Sequence, residues 1–340
     1  MTTDKRDGAA RVHGILTAYL QSQAVFSALQ LGIFEQLEEH TLNPRDLAGR
    51  VGLDERPTRA LLIALTGLGL VEEKTQGYHN TTDSSRHLVE RSPEFMGRFA
   101  EHQSVHFANF VELPESIRSN SSVTKRVLED GYSEQGAGVG EGDAGRKRLI
   151  DAMRVSSRLQ ANAMAKPLKL AEGSTLVDLG CGSGDYSIAV ARHHPGVKII
   201  AVDYPAVGEI AATNIAEAGL TDQISVEPDD IMTGPLPACD GVLLSHVLDG
   251  YGRTQTERLV AKVYNELRPG GRLFIHSHMP DVADGVFSSL FGLILLINTE
   301  NGEVYEAREL ADLVERTGFT DVTSERVSFL SGLIAAERPD

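Results

Sequence analysis

Apolar residues recur at helical spacing between Val12 and Leu37 (Ile15, Leu16, Tyr19, Leu20, then Phe26, Leu29, Ile33, Phe34), and no proline interrupts them before Pro44. The spacing predicts one or two amphipathic helices. From Asn43-Pro44 the chain runs through Leu47-Ala48, Val51-Gly52-Leu53-Asp54 and Thr58 to Leu65, with capping residues and glycines that predict three short helices. Two alternating stretches, Leu70 to Glu73 and Gly77 to Asn80, flank a polar turn and predict a hairpin. Helices followed by such a hairpin describe a winged helix.

Gly131 to Gly145 is dense in glycine and carboxylates and reads as a flexible connector or lid. It divides the chain into a helical winged-helix domain, residues 1–145, and a second domain, residues 146–340. After a helical segment from Arg146 to Lys166, strand and helix patterns alternate. They fall at Thr175 to Leu179, Tyr186 to His193, Lys198 to Val202, Ala206 to Ala218, Ile224 to Glu227, Gly241 to Leu244, Glu257 to Leu267 and Arg272 to Ser277. That alternation predicts an α/β fold, a Rossmann-like, doubly wound parallel sheet.

With 340 residues, 41% of them hydrophobic, the chain can build two cores. Its formal charge of -16 repels phosphate backbones and anionic lipid. The winged helix adds no local reversal, because residues 44–90 hold six Lys/Arg against seven Asp/Glu. A structural or dimerising role therefore outranks DNA binding. Two cysteines, Cys181 and Cys239, make no disulfide framework and have no zinc-like spacing. The first residues lack the apolar core of a signal peptide, and the longest apolar run, around Leu290 to Ile297, is far too short to span a membrane. These features predict a cytoplasmic protein that binds neither membrane nor nucleic acid.

The chemistry concentrates at Val177-Asp178-Leu179-Gly180-Cys181-Gly182-Ser183-Gly184-Asp185, where an apolar strand meets a glycine turn and the start of a helix. Glycines at 180, 182 and 184 let a ligand approach the backbone, and the crevice beyond the strand ends is where this architecture binds nucleotides. A dinucleotide fingerprint needs a sixth-position glycine, and Asp185 there would face a pyrophosphate. S-adenosylmethionine has no phosphate and offers an ammonium, a sulfonium and a ribose, so carboxylates favour it. Asp178 is placed to orient the turn or meet the ammonium. Asp203, closing the second strand, is placed to accept both ribose hydroxyls. Asp229 or Asp230, after the third strand, stands where the adenine amino group would need an acceptor, and a plain turn carboxylate is the competing reading.

These motifs resemble those of small-molecule O-methyltransferases of the plant caffeate and bacterial polyketide types, and the likeness extends over nearly the whole chain. It is carried by Leu47-Ala48, Leu68-Gly69-Leu70, Val177 to Gly184, Asp203-Tyr204-Pro205-Ala206-Val207 and Pro269-Gly270-Gly271-Arg272-Leu273. The resemblance implies a class I methyltransferase fold behind a winged-helix dimerisation domain. It further implies homodimers built through the N-terminal helices, S-adenosylmethionine as cofactor, and a small-molecule acceptor held between the domains. It places Tyr204 and Ser245 on the adenosine side, Ser245 standing where a lysine is usual.

The departures centre on the base. The family carries Leu-His-Asp-Trp after the fourth strand, and its His deprotonates the acceptor. Here the run is Val247-Leu248-Asp249-Gly250-Tyr251, so Asp249 holds that position. A carboxylate is a weak base for a phenol unless burial raises its pKa. His246, at the end of the fourth strand, is the alternative base, or else a histidine hydrogen-bonded beside the adenosine. The supporting Glu of the family aligns to Glu303 or to Val304, and its substrate-facing Asn to Asn298. His102 and His106, four residues apart, share a helical face that would reach the substrate pocket. His276-x-His278 with His246 is the one arrangement that raises a metal, and no metal is expected. Methyl transfer is the leading reading. Non-methyl chemistry with the same cofactor, such as hydroxylation or cyclisation, follows it, and a ligand-responsive winged-helix regulator comes last.

Overall fold

The computed structural model describes residues 5–123, 153–155, 157–158, 160–283 and 286–340. The connector at 131–145, the division at 145 and 146, and the start of the helical segment at Arg146 lie outside the described residues. The chain forms two compact units, Met1–Val105 and His106–Asp340.

The first unit opens with α1 (Lys5–Gln30) and α2 (Ile33–Glu39), followed by α3 (Pro44–Val51) and α4 (Glu55–Gly67). The side chain of Asn43 caps α3 by accepting the amide of Asp46 at 2.9 Å, and Pro44 fits the first turn, where no amide is needed. Gly52 ends the helix with φ 70°. Val51 to Asp54 is therefore the end of α3 and a turn rather than a third short helix, because a left-handed glycine reverses the chain there. The hairpin of β1 (Val71–Lys74) and β2 (Gly77–Asn80) forms as the alternation predicts, with Val71 opposite Asn80 and Lys74 opposite Gly77. Ile33, Phe34, Leu37, Leu47, Leu62, Leu65 and Val71 fill the core of this winged helix. Val12, Ile15, Leu16, Tyr19 and Leu20 on α1 do not join it, each being more than half exposed. After α5 (Thr82–His87), α6 (Gly97–Asn109) runs on into the second unit.

The second unit continues through α7 (Leu113–Ser119) and a described helical stretch at 160–165 to a seven-stranded sheet. Its elements are β3 (Thr175–Leu179), α8 (Asp185–His193), β4 (Lys198–Asp203), α9 (Pro205–Glu217), β5 (Ile224–Pro228), β6 (Gly241–Ser245), α10 (Arg253–Glu266), β7 (Arg272–Ser277), α11 (Val286–Asn298), α12 (Ala307–Thr317), β8 (Thr320–Arg326) and β9 (Gly332–Glu337). The strands lie in the order β5-β4-β3-β6-β7-β9-β8. The first five are parallel, and β9 runs antiparallel to both β7 and β8. This is the sheet of class I methyltransferases. The alternation anticipated the parallel strands; the antiparallel edge and the helices α11 and α12 lie beyond where that pattern was read.

Every residue of β6 is buried, as a strand covered on both faces requires. Helices cover each face, with Leu179, Val242, Leu244, Leu259 and Val263 in one core and Leu176, Val190, Ile199, Ile215 and Leu243 in the other. The chain leaves β3 towards β4 and β5, then returns to β6 on the opposite side. That reversal opens a crevice beyond the carboxyl ends of β3 and β6. Among the described residues, no helix is long and apolar enough to cross a membrane.

Phe34 is almost wholly buried at the centre of the winged helix. Phe34→Ala should cost about 3–5 kcal/mol from lost burial and the cavity left behind. Urea denaturation followed by circular dichroism checks this, and a loss under about 1 kcal/mol would place that core elsewhere.

Candidate active site

The glycine turn is tied to the end of the neighbouring strand. The amides of Gly180 and Cys181 both donate to the carbonyl of Val202, at 2.8 and 3.1 Å. Gly182 donates to Asp203 Oδ2 at 2.8 Å, and the amide of Tyr204 donates to Asp203 Oδ1 at the same distance. The turn requires glycine at 180: its φ is 85°, and a Cβ there would come 2.6 Å from Cγ2 of Val247. Asp203 is thus fixed by one backbone donor on each oxygen, and each oxygen keeps a further lone pair. Burial raises its pKa, against the pull of those two amides.

Asp178 lies on β3 and is fully buried. Its Oδ2 accepts the hydroxyl of Ser187 at 2.6 Å, while its Oδ1 is buried with no partner. Burial, assisted by the nearby Asp203, lifts its pKa to about 6 despite the serine. Asp185, the sixth residue of the glycine segment, pairs with Arg154 and Arg158, each 3.3 Å away, and accepts the Ser183 hydroxyl at 2.7 Å. Its charge is balanced within the protein, on a side chain that a dinucleotide fingerprint omits.

Asp229 and Asp230 follow β5. The amide of Asp229 donates to the carbonyl of Asp203 at 2.9 Å, and its Oδ1 accepts the amide of Asp230 at 2.8 Å. Asp230 Oδ1 accepts the amides of Met232 and Thr233 at 2.8 and 3.3 Å, which is the bonding of a turn carboxylate. Asp230 also lies near Tyr204 and Tyr251, where burial first and this negative charge second raise the pKa of Tyr204.

Three imidazoles, those of His246, His276 and His278, meet at the ends of β6 and β7. His246 follows Ser245, the last residue of β6, with φ 54°, and its amide donates to the carbonyl of His276 at 2.8 Å. Its Nδ1 lies 3.1 Å from Asp249 Oδ2, and its Nε2 is buried without a partner. Asp249, itself buried, accepts the Ser277 hydroxyl on its other oxygen in a very short hydrogen bond. His276 is completely buried, with Nδ1 2.8 Å from the Ser245 hydroxyl and Nε2 2.8 Å from that of Ser331. His278 donates from Nδ1 to the carbonyl of Leu330 at 2.8 Å and packs against the rings of Phe287 and Phe291. The ring of His246 stands 4.8 Å from that of His276 and 4.6 Å from that of His278, centre to centre. Burial, reinforced by these neighbours, drives the pKa of His276 well down and that of His278 to about 4, so both are neutral near pH 7.

The structure therefore brings Asp178, Gly180, Gly182, Gly184 and Asp203 to one turn, and His246, Asp249 and Ser245 to the adjoining strand end. Glu303 does not join the imidazoles. It is half-buried, with Oε2 3.5 Å from Nε of Arg253, and its backbone amide donates to the carbonyl of Asp249 at 3.1 Å. The side chain facing His246 is Asp249 instead. Asn298, near the end of α11, donates from Nδ2 to His106 Nδ1 at 3.0 Å and accepts from Asn109 at 3.3 Å. His102 lies a turn earlier on α6, within the first unit, and burial lowers its pKa.

Met279, Leu295 and Ile297 are core residues, whereas Phe287 and Phe291 are only partly buried. Among the described residues, no group of three or more His, Cys, Asp or Glu is arranged to hold a metal ion. The residues the sequence did not single out are Ser187, Ser277 and Ser331. Of these, Ser277 alone carried a signal, since it sits between two histidines at the end of an apolar strand.

This sheet order, with a glycine turn at its switch point and a carboxylate closing the next strand, defines a class I methyltransferase. The chain belongs to the O-methyltransferase family: the model of the O-methyltransferase domain matches residues 132–320, and that of the O-methyltransferase dimerisation domain matches residues 14–90. Its relatives include the tetracenomycin polyketide synthesis 8-O-methyl transferase TcmO of Streptomyces glaucescens, 28% identical over 98% of this chain and 97% of that one. The 3-hydroxy-5-methyl-1-naphthoate 3-O-methyltransferase of Streptomyces sahachiroi is 27% identical over 92% of this chain and 90% of its own length. Human N-acetylserotonin methyltransferase, solved in complex with SAM, has the same fold, with a TM-score of 0.88 over the full length of both chains at 21% identity.

The raised pKa of Asp178 fixes the sign of its effect on stability. The folded protein binds this proton more tightly than the unfolded chain does, so the contribution is favourable below pH 4 and is lost as pH rises through about 6. Asp178→Asn should therefore stabilise the cofactor-free protein by about 2–3 kcal/mol at pH 7.5, with most of the gain gone at pH 4.5. Urea titrations at the two pH values measure this, and a gain independent of pH would overturn the account.

Proposed function

We propose that this protein transfers a methyl group from S-adenosylmethionine to a phenolic hydroxyl of a small aromatic or polyketide-type metabolite. The observation that carries the reading is the adjacency of two sites. An imidazole and a carboxylate stand at the end of β6, and Val247, one of the two residues between them in sequence, packs on the glycine turn at Gly180. A cofactor lying over the turn would then have a proton acceptor beside its reactive end.

The residues of the turn suit that cofactor. Asp178 leaves a buried oxygen unpartnered, as an ammonium would require, and Asp203 offers two lone pairs at the spacing of a ribose diol. Tyr204, Ser245, Asp229 and Asp230 complete the adenosine side in this reading. Of the two acids, Asp229 is the better adenine acceptor, because Asp230 is engaged by two amides of its own turn. When bound, S-adenosylmethionine supplies a methyl group already activated by its sulfonium. The protein's own residues then hold the acceptor in line, keep water out and take its proton, by His246 or Asp249. Asn298, His106 and His102 are proposed to position the acceptor. Phe287 and Phe291 give that side an apolar, aromatic surface, which suits a planar ring.

The wider arrangement follows from the same reading. Residues 1–145 would serve dimerisation and residues 146–340 cofactor binding and chemistry. The exposed apolar residues of α1 are of the kind that a second copy covers, supporting a homodimer through the N-terminal helices. The acidic winged helix and the charge of -16 favour a small molecule over nucleic acid. The imidazole and carboxylate at the site also favour methyl transfer over non-methyl chemistry, since a means of deprotonation is kept.

The test supplies methyl-labelled S-adenosylmethionine with a panel of hydroxynaphthoates and hydroxylated anthraquinones. A labelled aryl methyl ether, formed one for one with S-adenosylhomocysteine, is the expected outcome. Consumption of an acceptor without S-adenosylhomocysteine would instead establish non-methyl chemistry. Asp203→Ala should weaken S-adenosylhomocysteine binding by at least about 100-fold in calorimetry, because two charge-assisted hydrogen bonds are lost together. Unchanged affinity would remove the ribose assignment.

A further inference from the structure

We infer that His246 is the base that deprotonates the acceptor, through Nε2, and that Asp249 and Ser277 are positioning residues which fix its tautomer and aim. The inference rests on the proposed methyl transfer and decides which of the two side chains takes the proton.

A carboxylate only accepts hydrogen bonds, so the 3.1 Å contact between Asp249 Oδ2 and His246 Nδ1 places the proton of the neutral ring on Nδ1. Nε2 is left with a free lone pair. It is buried, and no atom of the described residues bonds to it. Asp249 is the poorer candidate on geometry, because one oxygen faces Nδ1 and the other is taken by Ser277. Each of its oxygens already accepts one donor inside the protein, which makes it a weaker base, while the imidazole has one nitrogen engaged and one without a partner.

The surroundings favour the same division. Of the other two rings in the cluster, His276 has both nitrogens hydrogen-bonded to hydroxyls, and His278 commits Nδ1 to a backbone carbonyl. His246 alone couples a carboxylate on one side to an unpartnered nitrogen on the other. The position that carries the family's histidine is thus filled by the carboxylate, and the ring is supplied from three residues earlier. His246 has a left-handed backbone, and the single helical turn that follows it, Leu248–Gly250, brings Asp249 round to its ring.

The step balances without any further reagent. The acceptor O–H bond breaks, its proton passing to Nε2, and the oxygen lone pair forms the O–CH₃ bond while the C–S electron pair stays on sulfur. The products are an aryl methyl ether, a neutral thioether and an imidazolium facing the Asp249 carboxylate. The imidazolium returns its proton to water once the ether has left.

Two measurements on the full chain test this. The first reads the tautomer from long-range ¹H–¹⁵N correlations of histidine-labelled protein saturated with S-adenosylhomocysteine, with His246→Ala used to assign the signal. His246 should be neutral and protonated at Nδ1. In Asp249→Ala it should move to the common Nε2-protonated form, and in Ser277→Ala it should become a mixture. A wild-type ring protonated at Nε2, or a tautomer indifferent to Asp249, would overturn the inference. Calorimetry with S-adenosylhomocysteine establishes that each variant is folded, with Kd within about threefold of wild type expected where only the aim of the base is lost.

The second measurement uses two hydroxynaphthoates that the wild type methylates, one with an ordinary phenol and one with a nitro-substituted phenol already ionised at the assay pH. His246→Ala should lose about 10²–10⁴-fold in kcat on the first and far less on the second. Ser277→Ala should lose roughly 10-fold on the first alone. Equal losses on both acceptors would show that His246 acts in packing rather than in proton transfer. If the wild type methylates neither phenol, it is the functional reading that fails, and the tautomer measurement still decides the assignment within the pair.

Discussion

The bond network that joins the first glycine turn to the end of the next strand is the constraint on which the site depends. Three successive amides, those of Gly180, Cys181 and Gly182, are spent on Val202 and Asp203. Each would cost about 1–3 kcal/mol if buried without a partner, so the turn and the strand end cannot separate cheaply. The consequence is geometric. Asp203 is held by the backbone it will serve beside, and the absence of a Cβ at Gly180 lets Val247 press against the turn. The end of β6, and with it His246, is set next to β3 and β4 by contact rather than by sheet register alone.

The electrostatic character of the site follows from which charges are compensated. Asp185 has two guanidinium groups and a hydroxyl, and so contributes little field to the crevice. Asp178 and Asp203 have only neutral donors, and burial raises the pKa of both. His276 and His278 are held neutral, and no described lysine or arginine forms an ion pair with Asp178, Asp203 or Asp249. The crevice is therefore short of positive charge. A pyrophosphate would add to that deficit, while a ligand bearing an ammonium and a sulfonium would relieve it and favour the ionised forms of the two carboxylates. The same argument explains why stability and ligand binding pull in opposite directions at Asp178: the proton that steadies the empty fold is one that a cation displaces.

How much of this was legible in the sequence depended on the range over which each feature is determined. The glycine turn, Asp178 and Asp203 could be read directly, because a strand, a turn and the end of the next parallel strand are linked by local pattern and a fixed topology. The winged helix was legible for the same reason, save that Gly52 ends α3 where a third helix was expected. The β8–β9 edge was not read, although Leu333 to Ala336 is an apolar run after Gly332, because the alternation of strand and helix gives no reason to expect an antiparallel pair. Glu303 and Asp230 show the opposite limit. Position along the chain singles out both but not what their side chains meet: Glu303 lies beside Arg253, and Asp230 accepts two amides of its own turn. Ser277 and Ser331 meet Asp249 and His276 only through tertiary packing, which no spacing rule encodes.

The backbone at His246 is strained and held from two sides. Among the described residues only Asn120, His246 and Asp321 adopt positive φ without being glycine, and His246 is the one of the three with a buried side chain contact to a carboxylate. A left-handed residue of this kind costs on the order of 1–2 kcal/mol and persists only where its surroundings hold it. Here the amide is held by the carbonyl of His276 and the ring by Asp249, which is anchored in turn by Ser277 on the neighbouring strand. Relaxing the bend would release the strain but would also part the ring from its carboxylate, leaving a buried acid without its partner. The strain and the hydrogen bonds thus sustain one another. That is the cost of holding an imidazole at the end of β6 against a carboxylate anchored on the neighbouring strand.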